Sequence, residues 1–273
     1  MCFLKKCWAH PTRIRTIKSM RMQKFGLLGY PLTHSFSKGY FTQKFEREGL
    51  SAVYENFAIP TIDAFPEVIR QNSDLTGLNV TIPYKTAVIQ YLDELDPAAR
   101  EIGAVNVVRV HKKSDGTLQL KGYNSDVIGF TESIRSFVSE LLKREPHPNA
   151  LVLGTGGASK AVVYGLKQLG IQPLTVSRTA HTGGLTYDDL TADHYRNTSI
   201  FVNTTPLGMS PNIEACPDLD YTLLTRSHYL YDVVYNPAET LFLQKGRAQG
   251  AHTCNGLEML HLQAEAAWKL WND

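Results

Sequence analysis

The feature that most constrains the fold is a glycine-rich turn between a short apolar run and a helix-like segment. The apolar run is ALVL (150–153), and the turn reads GTGGASK (154–160). Glycines at such a junction permit a tight turn and let a pyrophosphate approach the helix N-terminus. The pattern predicts a nucleotide-binding βαβ unit, although a glycine-rich turn without a ligand has the same local sequence. The predicted cofactor contacts are Gly154, Thr155, Gly156, Gly157 and Ala158.

The end of the next strand-like run indicates which dinucleotide is bound. PLTVSR (173–178) ends in Ser177 and Arg178, and Thr179 follows. NAD-specific folds place an Asp or Glu here, about 20 residues after the turn, on the ribose 2′-hydroxyl. This chain has neither, and a guanidinium pairs well with the additional phosphate of NADP. We expect NADP, held by Ser177, Arg178 and Thr179, unless Arg178 is only an exposed strand-end cation. Since only His181 and no second arginine follows, the expected preference is moderate.

The order of predicted elements indicates an α/β fold. A β-α-β-α rhythm runs from residue 24, and strands at 104–111 and 118–124 flank a hairpin turn at Asp115-Gly116. The Pro- and charge-containing stretch 143–149 ends a helix, and the pattern then restarts at residue 150. A chain of 273 residues with 43% hydrophobic content is long enough for two domains of ordinary size.

Composition excludes several classes of protein. The formal net charge of +2 gives no argument for nucleic acid or an acidic membrane as partner. No run approaches the roughly 18 to 20 apolar residues of a membrane span. Four scattered cysteines suggest neither a zinc site nor a disulfide framework, so we expect a cytoplasmic protein without a metal. Residues 1–21 are basic and contain no acid; we interpret them as a disordered, dispensable extension arising from a mis-set start codon, with weak similarity to an organellar transit peptide.

Polar clusters stand at the strand ends of the first block, where sites lie in α/β folds. They are GYPLTHSFS (29–37), NVTIPYK (79–85), GAVN (103–106) and YNSDVIG (123–129). The second block adds GTGGASKA (154–161), NTTPLGM (203–209), VVYNP (233–237) and GLEMLHLQA (256–264). In this order and at these spacings the motifs closely resemble those of the shikimate dehydrogenase family, over residues 23–273.

The resemblance implies a set of site residues. The substrate carboxylate would be bound by Ser35, Ser37, Thr81 and Tyr235, and the ring hydroxyls by Asn106, Asp126 and Gln263. Lys85 matches the catalytic lysine of the family, with Asp126 orienting it. The nicotinamide pocket would include Met209, Val233 and Gly256.

Each residue also has a simpler interpretation. Lys85 could be a solvated lysine after a turn, and Asp126 could cap a helix that begins near Val127. The serines could be turn residues, and Met209 could be ordinary core packing. A lysine has a reference pKa of about 10.4, which is high for a base at neutral pH; desolvation in a closed cleft lowers such a pKa and a neighbouring carboxylate raises it.

The resemblance further implies an architecture and an activity. We expect an N-terminal substrate-binding α/β domain (22–124, plus the C-terminal helix 255–273), a Rossmann-like NADP-binding domain (125–254), and a cleft between them. The implied reaction is the reversible NADP-dependent reduction of 3-dehydroshikimate to shikimate in chorismate and aromatic amino-acid biosynthesis, by a monomer or homodimer. A quinate/shikimate dehydrogenase and a catalytically silent ligand sensor of the same fold are the alternatives. The nucleotide-binding pattern alone would also fit another substrate.

Overall fold

The computed structural model describes residues 22–32 and 36–273, and these residues form two six-stranded sheets with their connecting helices. The strands of the first sheet are β1 (Gln23–Gly29), β2 (Ala52–Ala58), β3 (Leu75–Val80), β4 (Glu94–Leu95), β5 (Val107–Lys112) and β6 (Leu118–Tyr123). The strands of the second sheet are β7 (Asn149–Leu153), β8 (Gln172–Ser177), β9 (Gly184–Thr186), β10 (Ile200–Asn203), β11 (Tyr229–Asp232) and β12 (His252–Cys254).

Helices connect these strands. The α-helices are α1 (Phe36–Glu48), α2 (Phe65–Gln71), α3 (Pro97–Ile102), α4 (Asp126–Arg144), α5 (Gly157–Gln168), α6 (Ala192–Arg196), α7 (Leu241–Ala248) and α8 (Leu257–Asn272). Short 3₁₀ turns lie at Ile62–Ala64, Ala87–Tyr91, Tyr187–Asp189 and Tyr221–Leu223. No helix within these described ranges is long and apolar enough to cross a lipid bilayer.

The first sheet is mixed, in the order β2-β1-β3-β5-β6-β4. β1 pairs in parallel with β2 and β3, whereas β5 runs antiparallel to both β3 and β6. The β5–β6 pair is the predicted hairpin, and Gly116 in its turn has φ +86°, a backbone conformation that favours glycine. The predicted strand 104–111 begins only at Val107, directly after Asn106, whose side chain lies in the site described below.

The second sheet is entirely parallel, in the order β12-β11-β10-β7-β8-β9. β7 and β10, at its centre, are almost completely buried, as expected for parallel strands covered by helices on both faces. The direction of the strand order reverses between β7 and β10. Ligands of open α/β sheets bind outside the carboxyl ends of the strands at such a reversal.

Helix α8 joins the cores of the two sheets. Near its start, Met259 packs in the core formed by the second sheet with α4 and α5. Near its end, Ala267 and Trp271 pack in an aromatic core beside β1 and α1. The Trp271 indole Nε1 donates to the Val108 carbonyl at 3.2 Å, and a Cβ at Gly77 would lie 2.3 Å from the Trp271 ring. The indole therefore requires a glycine at this position of β3.

The ends of two strands differ from the sequence prediction. The apolar runs SIFVNTT (199–205) and YLYDVVY (229–235) predict two further strands; both are present, but they end at Asn203 and Asp232, where the chain leaves the sheet. The domain boundary between residues 124 and 125 stays a prediction. Residues 1–21 lie outside the described residues, as does the stretch from Thr33 to Ser35.

Candidate active site

A cavity of about 750 Å³ lies between the two sheets. The first sheet and its loops contribute Thr81, Ile82, Pro83, Lys85 and Thr86. The second sheet contributes the turn from Gly154 to Ala158, the strand end from Ser177 to Thr179, Tyr187, and the segment from Thr204 to Leu207. The predicted lysine and the cofactor contacts predicted at the glycine-rich turn and at the end of β8 therefore line one cavity.

Lys85 and Asp126 form an ion pair at the inner side of this cavity. The Lys85 Nζ donates to Asp126 Oδ2 at 2.6 Å, and the side chains are 17% and 9% exposed, respectively. Lys85 follows β3, and Asp126 is the first residue of α4. The solvated-lysine interpretation is wrong, because Lys85 is held by a buried carboxylate at the edge of the cavity.

Asn106 completes a chain of hydrogen bonds with this pair. Its Nδ2 donates to Asp126 Oδ1 at 2.8 Å, while its Oδ1 accepts from the Ser125 backbone N–H at 2.6 Å. The Ser125 hydroxyl in turn donates to Gln263 Oε1 at 3.4 Å. The predicted catalytic lysine and three of the predicted substrate contacts, which come from four separate segments, are thus joined in one network.

The cap of α4 is not the one that the sequence suggested. The Val127 N–H donates to Asn124 Oδ1 at 3.2 Å, and Asn124 Nδ2 donates to the Ala104 carbonyl. Both carboxylate oxygens of Asp126 are engaged by Lys85 and Asn106. The capping interpretation of Asp126 is therefore wrong, and Asn124, which sequence reasoning missed, caps the helix.

The glycine-rich turn touches the lysine directly. A Cβ built at Gly157 would lie 3.3 Å from both Cβ and Cδ of Lys85, which is tight for side-chain contact. The absence of a side chain at Gly157 therefore leaves room for the methylene stem of Lys85. This contact places the lysine at the start of α5, where backbone N–H groups have no partner within the helix.

Three of the predicted carboxylate-binding residues are among the described residues. Thr81 lines the cavity, and Ser37 is in the first turn of α1, where it hydrogen-bonds the Tyr54 hydroxyl. Tyr235 is half-buried, its ring meets Phe36 edge-to-face, and burial raises the pKa of its phenol. Ser35 lies outside the described residues, as does His34.

The turn after β7 fits a dinucleotide pyrophosphate. Gly154 has φ +111°, and a Cβ there would lie 2.8 Å from Thr204 Oγ1, so this position requires glycine. A Cβ at Gly156 would meet nothing within 4 Å, which leaves open space above the turn. The Ser159 hydroxyl donates to the Gly154 carbonyl at 2.6 Å and holds the turn in shape.

The end of β8 fits the additional phosphate of NADP. Arg178 is exposed and lines the cavity, and no carboxylate of residues 22–32 or 36–273 forms an ion pair with it. His181 points the other way: its Nε2 hydrogen-bonds Thr175 Oγ1 at 2.8 Å, and its Nδ1 lies 3.2 Å from Ser177 Oγ. Both ring nitrogens are engaged, so His181 supplies no second phosphate contact here.

The three residues predicted for the nicotinamide pocket do not line this cavity. Met209 is 45% exposed, so the core-packing interpretation of this residue is wrong. Val233 and Gly256 lie side by side beyond the end of β11, since a Cβ at Gly256 would be 2.2 Å from the Val233 carbonyl oxygen.

Sequence reasoning missed Asp232, a completely buried carboxylate at the end of β11. It accepts from Thr240 Oγ1 at 2.5 Å and from both Val234 N and Asn203 Nδ2 at 3.0 Å. Burial raises the pKa of Asp232 to about 6, although these hydrogen bonds oppose that shift. The carboxylate ties the end of β10 to that of β11. The signal in the sequence is an acidic residue at the end of an apolar run.

Comparisons with known proteins agree with this geometry. A family model described as the shikimate dehydrogenase substrate binding domain matches residues 27–108. Shikimate dehydrogenase (NADP(+)) of Bacillus cereus strain AH187 is 35% identical over 266 residues, which cover 91% of this chain and 92% of the relative.

Solved structures give the same result over the whole fold. Shikimate dehydrogenase from Aquifex aeolicus is 32% identical, with a TM-score of 0.78 and 92% of each chain covered. Shikimate 5-dehydrogenase from Thermus thermophilus, solved with NADP(H) and shikimate, is 32% identical, with a TM-score of 0.75, 92% of this chain covered and 93% of that one. The chain belongs to the shikimate dehydrogenase family.

Proposed function

We propose that this protein catalyses the reversible, NADP-dependent reduction of 3-dehydroshikimate to shikimate. The observation that carries the proposal is the Lys85–Asp126 pair, whose Lys85 lines the same cavity as the glycine-rich turn and Arg178. A proton-transfer group and a dinucleotide site then share one space, as an alcohol dehydrogenase requires. The family relationship supplies the substrate, and the pathway is that of chorismate and the aromatic amino acids.

Lys85 is the group that exchanges a proton with the reacting hydroxyl. When bound, NADP accepts a hydride from the substrate carbon, so the protein has to remove only the hydroxyl proton. The 2.6 Å contact with Asp126 fixes the Nζ of Lys85 in place, and Asn106 fixes Asp126. Such support from neighbouring hydrogen bonds holds a catalytic side chain in its productive geometry.

The remaining polar residues recognise the substrate. Asn106, Asp126 and Gln263 offer donors and acceptors to the ring hydroxyls. Ser35, Ser37, Thr81 and Tyr235 bind the carboxylate; the position of Ser37 at the start of a 13-residue helix supports this, because a helix N-terminus favours an anion.

The cofactor lies across the strand-order reversal of the second sheet. The residues from Gly154 to Ala158 hold the pyrophosphate, and the residues from Ser177 to Thr179 hold the ribose phosphate. Met209, Val233 and Gly256 hold the nicotinamide, which is supported by their positions after β10, β11 and β12, on the far side of the reversal from Arg178.

The two sheets correspond to two domains, residues 22–124 with the helix 255–273, and residues 125–254. Separate hydrophobic cores beneath the sheets support this division. The enzyme acts in the cytoplasm as a monomer or homodimer, and the unpaired state of Cys216 and Cys254 supports a reducing compartment.

The test is the initial rate of NADP reduction by the full chain with shikimate, run beside quinate and beside NAD. We expect the highest kcat/KM with shikimate and NADP. A higher kcat/KM with quinate would overturn the substrate assignment. No turnover with any pair, despite NADP binding in calorimetry, would overturn the enzymatic assignment and favour a ligand sensor.

A further inference from the structure

Tyr187 is a cavity residue to which no role has been assigned. It directly follows β9, which pairs in parallel with β8, so the carboxyl ends of the two strands lie at one edge of the sheet. Ser177 and Arg178 stand at the end of β8, and all three residues line the cavity. Tyr187 is the only aromatic residue among the cavity residues that the structure describes.

The hydroxyl of Tyr187 remains available to a ligand. It makes no hydrogen bond to any residue in 22–32 or 36–273. Burial, reinforced by the Asp218 carboxylate, raises the pKa of the Tyr187 phenol to about 12, and the Arg178 guanidinium lowers it. The phenol is therefore a neutral hydrogen-bond donor at physiological pH, and its oxygen lies within electrostatic range of Arg178.

A ribose 2′-phosphate has more acceptor oxygens than Arg178 can satisfy. It carries three acceptor oxygens and up to two negative charges, and one guanidinium engages two oxygens at most. The neighbouring His181 uses both ring nitrogens on Thr175 and Ser177. The Thr179 hydroxyl follows Arg178 directly, and Tyr187 offers a further donor to the same cavity from the end of the neighbouring strand β9.

We propose that the Tyr187 hydroxyl donates a hydrogen bond to the 2′-phosphate of NADP beside Arg178, and that it thereby strengthens selection of NADP over NAD. The inference rests on the proposed function, which assigns this end of the cavity to the adenosine half of the cofactor. It makes Tyr187 a specificity-determining residue with no part in hydride transfer.

The test measures binding of cofactor fragments to the full chain by calorimetry. The probes are 2′,5′-ADP, which carries the phosphate, and 5′-AMP, which lacks it. Tyr187→Phe keeps the ring and removes the hydroxyl, so we expect about tenfold weaker binding of 2′,5′-ADP and unchanged binding of 5′-AMP. The matched control is Tyr164→Phe, on the half-buried face of α5 outside the cavity, which changes neither affinity.

The outcomes separate this inference from the proposed function. If the wild-type chain binds 2′,5′-ADP and 5′-AMP equally, the NADP assignment fails, and the role of Tyr187 fails with it. If the wild-type chain prefers 2′,5′-ADP and Tyr187→Phe keeps that preference, only the inference about Tyr187 is overturned. An equal loss of both affinities in Tyr187→Phe also overturns it, because the ring pocket rather than the phosphate contact would then have changed.

Discussion

The two sides of the cavity differ in how they are built. On the lysine side, Lys85, Asp126 and Asn106 come from separate segments and are joined by hydrogen bonds of 2.6 and 2.8 Å. On the glycine-turn side, backbone conformation at Gly154 shapes the surface, and the one predicted cation, Arg178, is exposed. The lysine side is therefore arranged in advance for chemistry, whereas the glycine-turn side presents backbone and an open cation to a ligand.

The buried carboxylates Asp126 and Asp232 are also held differently. Asp126 has a cation as partner, while Asp232 is surrounded only by neutral donors from Thr240, Val234 and Asn203. A carboxylate without a cation loses more on burial, and this explains why the pKa of Asp232 is raised to about 6. Asp126 is thus held as the partner of Lys85, and Asp232 ties the ends of β10 and β11 together.

Replacing the lysine gives the largest expected effect. Lys85→Ala should lower kcat for shikimate oxidation by about 10⁴-fold, because the proton acceptor is lost, while the Kd for NADP stays within about twofold. Steady-state kinetics and calorimetry measure the two quantities. Lys121→Ala, a surface lysine of β6, is the matched control and should keep full activity. A Lys85→Ala enzyme with near-normal kcat would contradict the assignment of proton transfer to the lysine side.

Removing the charge of Asp126 tests whether the lysine side acts on the substrate independently of the cofactor site. Asp126→Asn should lower kcat/KM for shikimate by about 10³-fold, because the partner of Lys85 and a proposed substrate contact are lost together. The affinity for NADP should not change, since Asp126 does not line the cavity near the glycine-rich turn. An equal loss of NADP affinity would show that the two sides are not separable.

Asp232 gives a test by pH rather than by activity. Its folded-state pKa of about 6 lies above the reference value of 3.8, so between about pH 4 and 6 the unfolded chain releases the proton first. As the pH rises from about 4 to 6, the contribution of Asp232 to the free energy of unfolding should therefore fall by about 3 kcal/mol. Above about pH 6 it should stay level.

Urea unfolding at several pH values measures this contribution. Asp232→Asn cannot titrate and should lack the fall, while Asp188→Asn, an exposed acid, should retain it. Parallel stability curves for the wild-type and Asp232→Asn proteins would contradict the raised pKa of Asp232, a buried carboxylate without a cationic partner.

The smallest expected effect belongs to the exposed cation. Arg178→Gln should weaken NADP binding by only about tenfold in calorimetry at low salt, because water and ions screen the charge of an exposed side chain. NAD binding should not change, since NAD lacks the 2′-phosphate. The difference should shrink as salt is added. Equal loss of NADP and NAD would mean that Arg178 contacts a part common to both cofactors.

The sequence predicted the long elements of the fold and missed the short ones. β7, β10 and β11 are apolar runs between recognisable turns, so each is visible in isolation. β9 and β12 have three residues each, too few for any period to appear, and they exist because a longer neighbour offers free backbone groups.

The site was predictable where residue identity carried the information. Lys85, Asp126 and the glycine-rich turn follow from motifs, and their proximity is confirmed by the structure. The cap of α4 was not predictable, because Asn124 and Asp126 cap helices equally well. A lysine 41 residues away along the chain decides between them. The proposed role of Tyr187 was not predictable from the sequence, because it depends on the pairing of β9 with β8.

Isotope transfer tests the central claim most directly, since the claim is that both sides of the cavity act on one substrate at once. The full chain would be supplied with NADP and with shikimate deuterated at the carbon whose hydroxyl is oxidised, and the NADPH formed would be analysed by mass spectrometry. The account predicts one deuterium in each NADPH molecule and none in the solvent. NADPH without the label, or no NADPH at all, would contradict it.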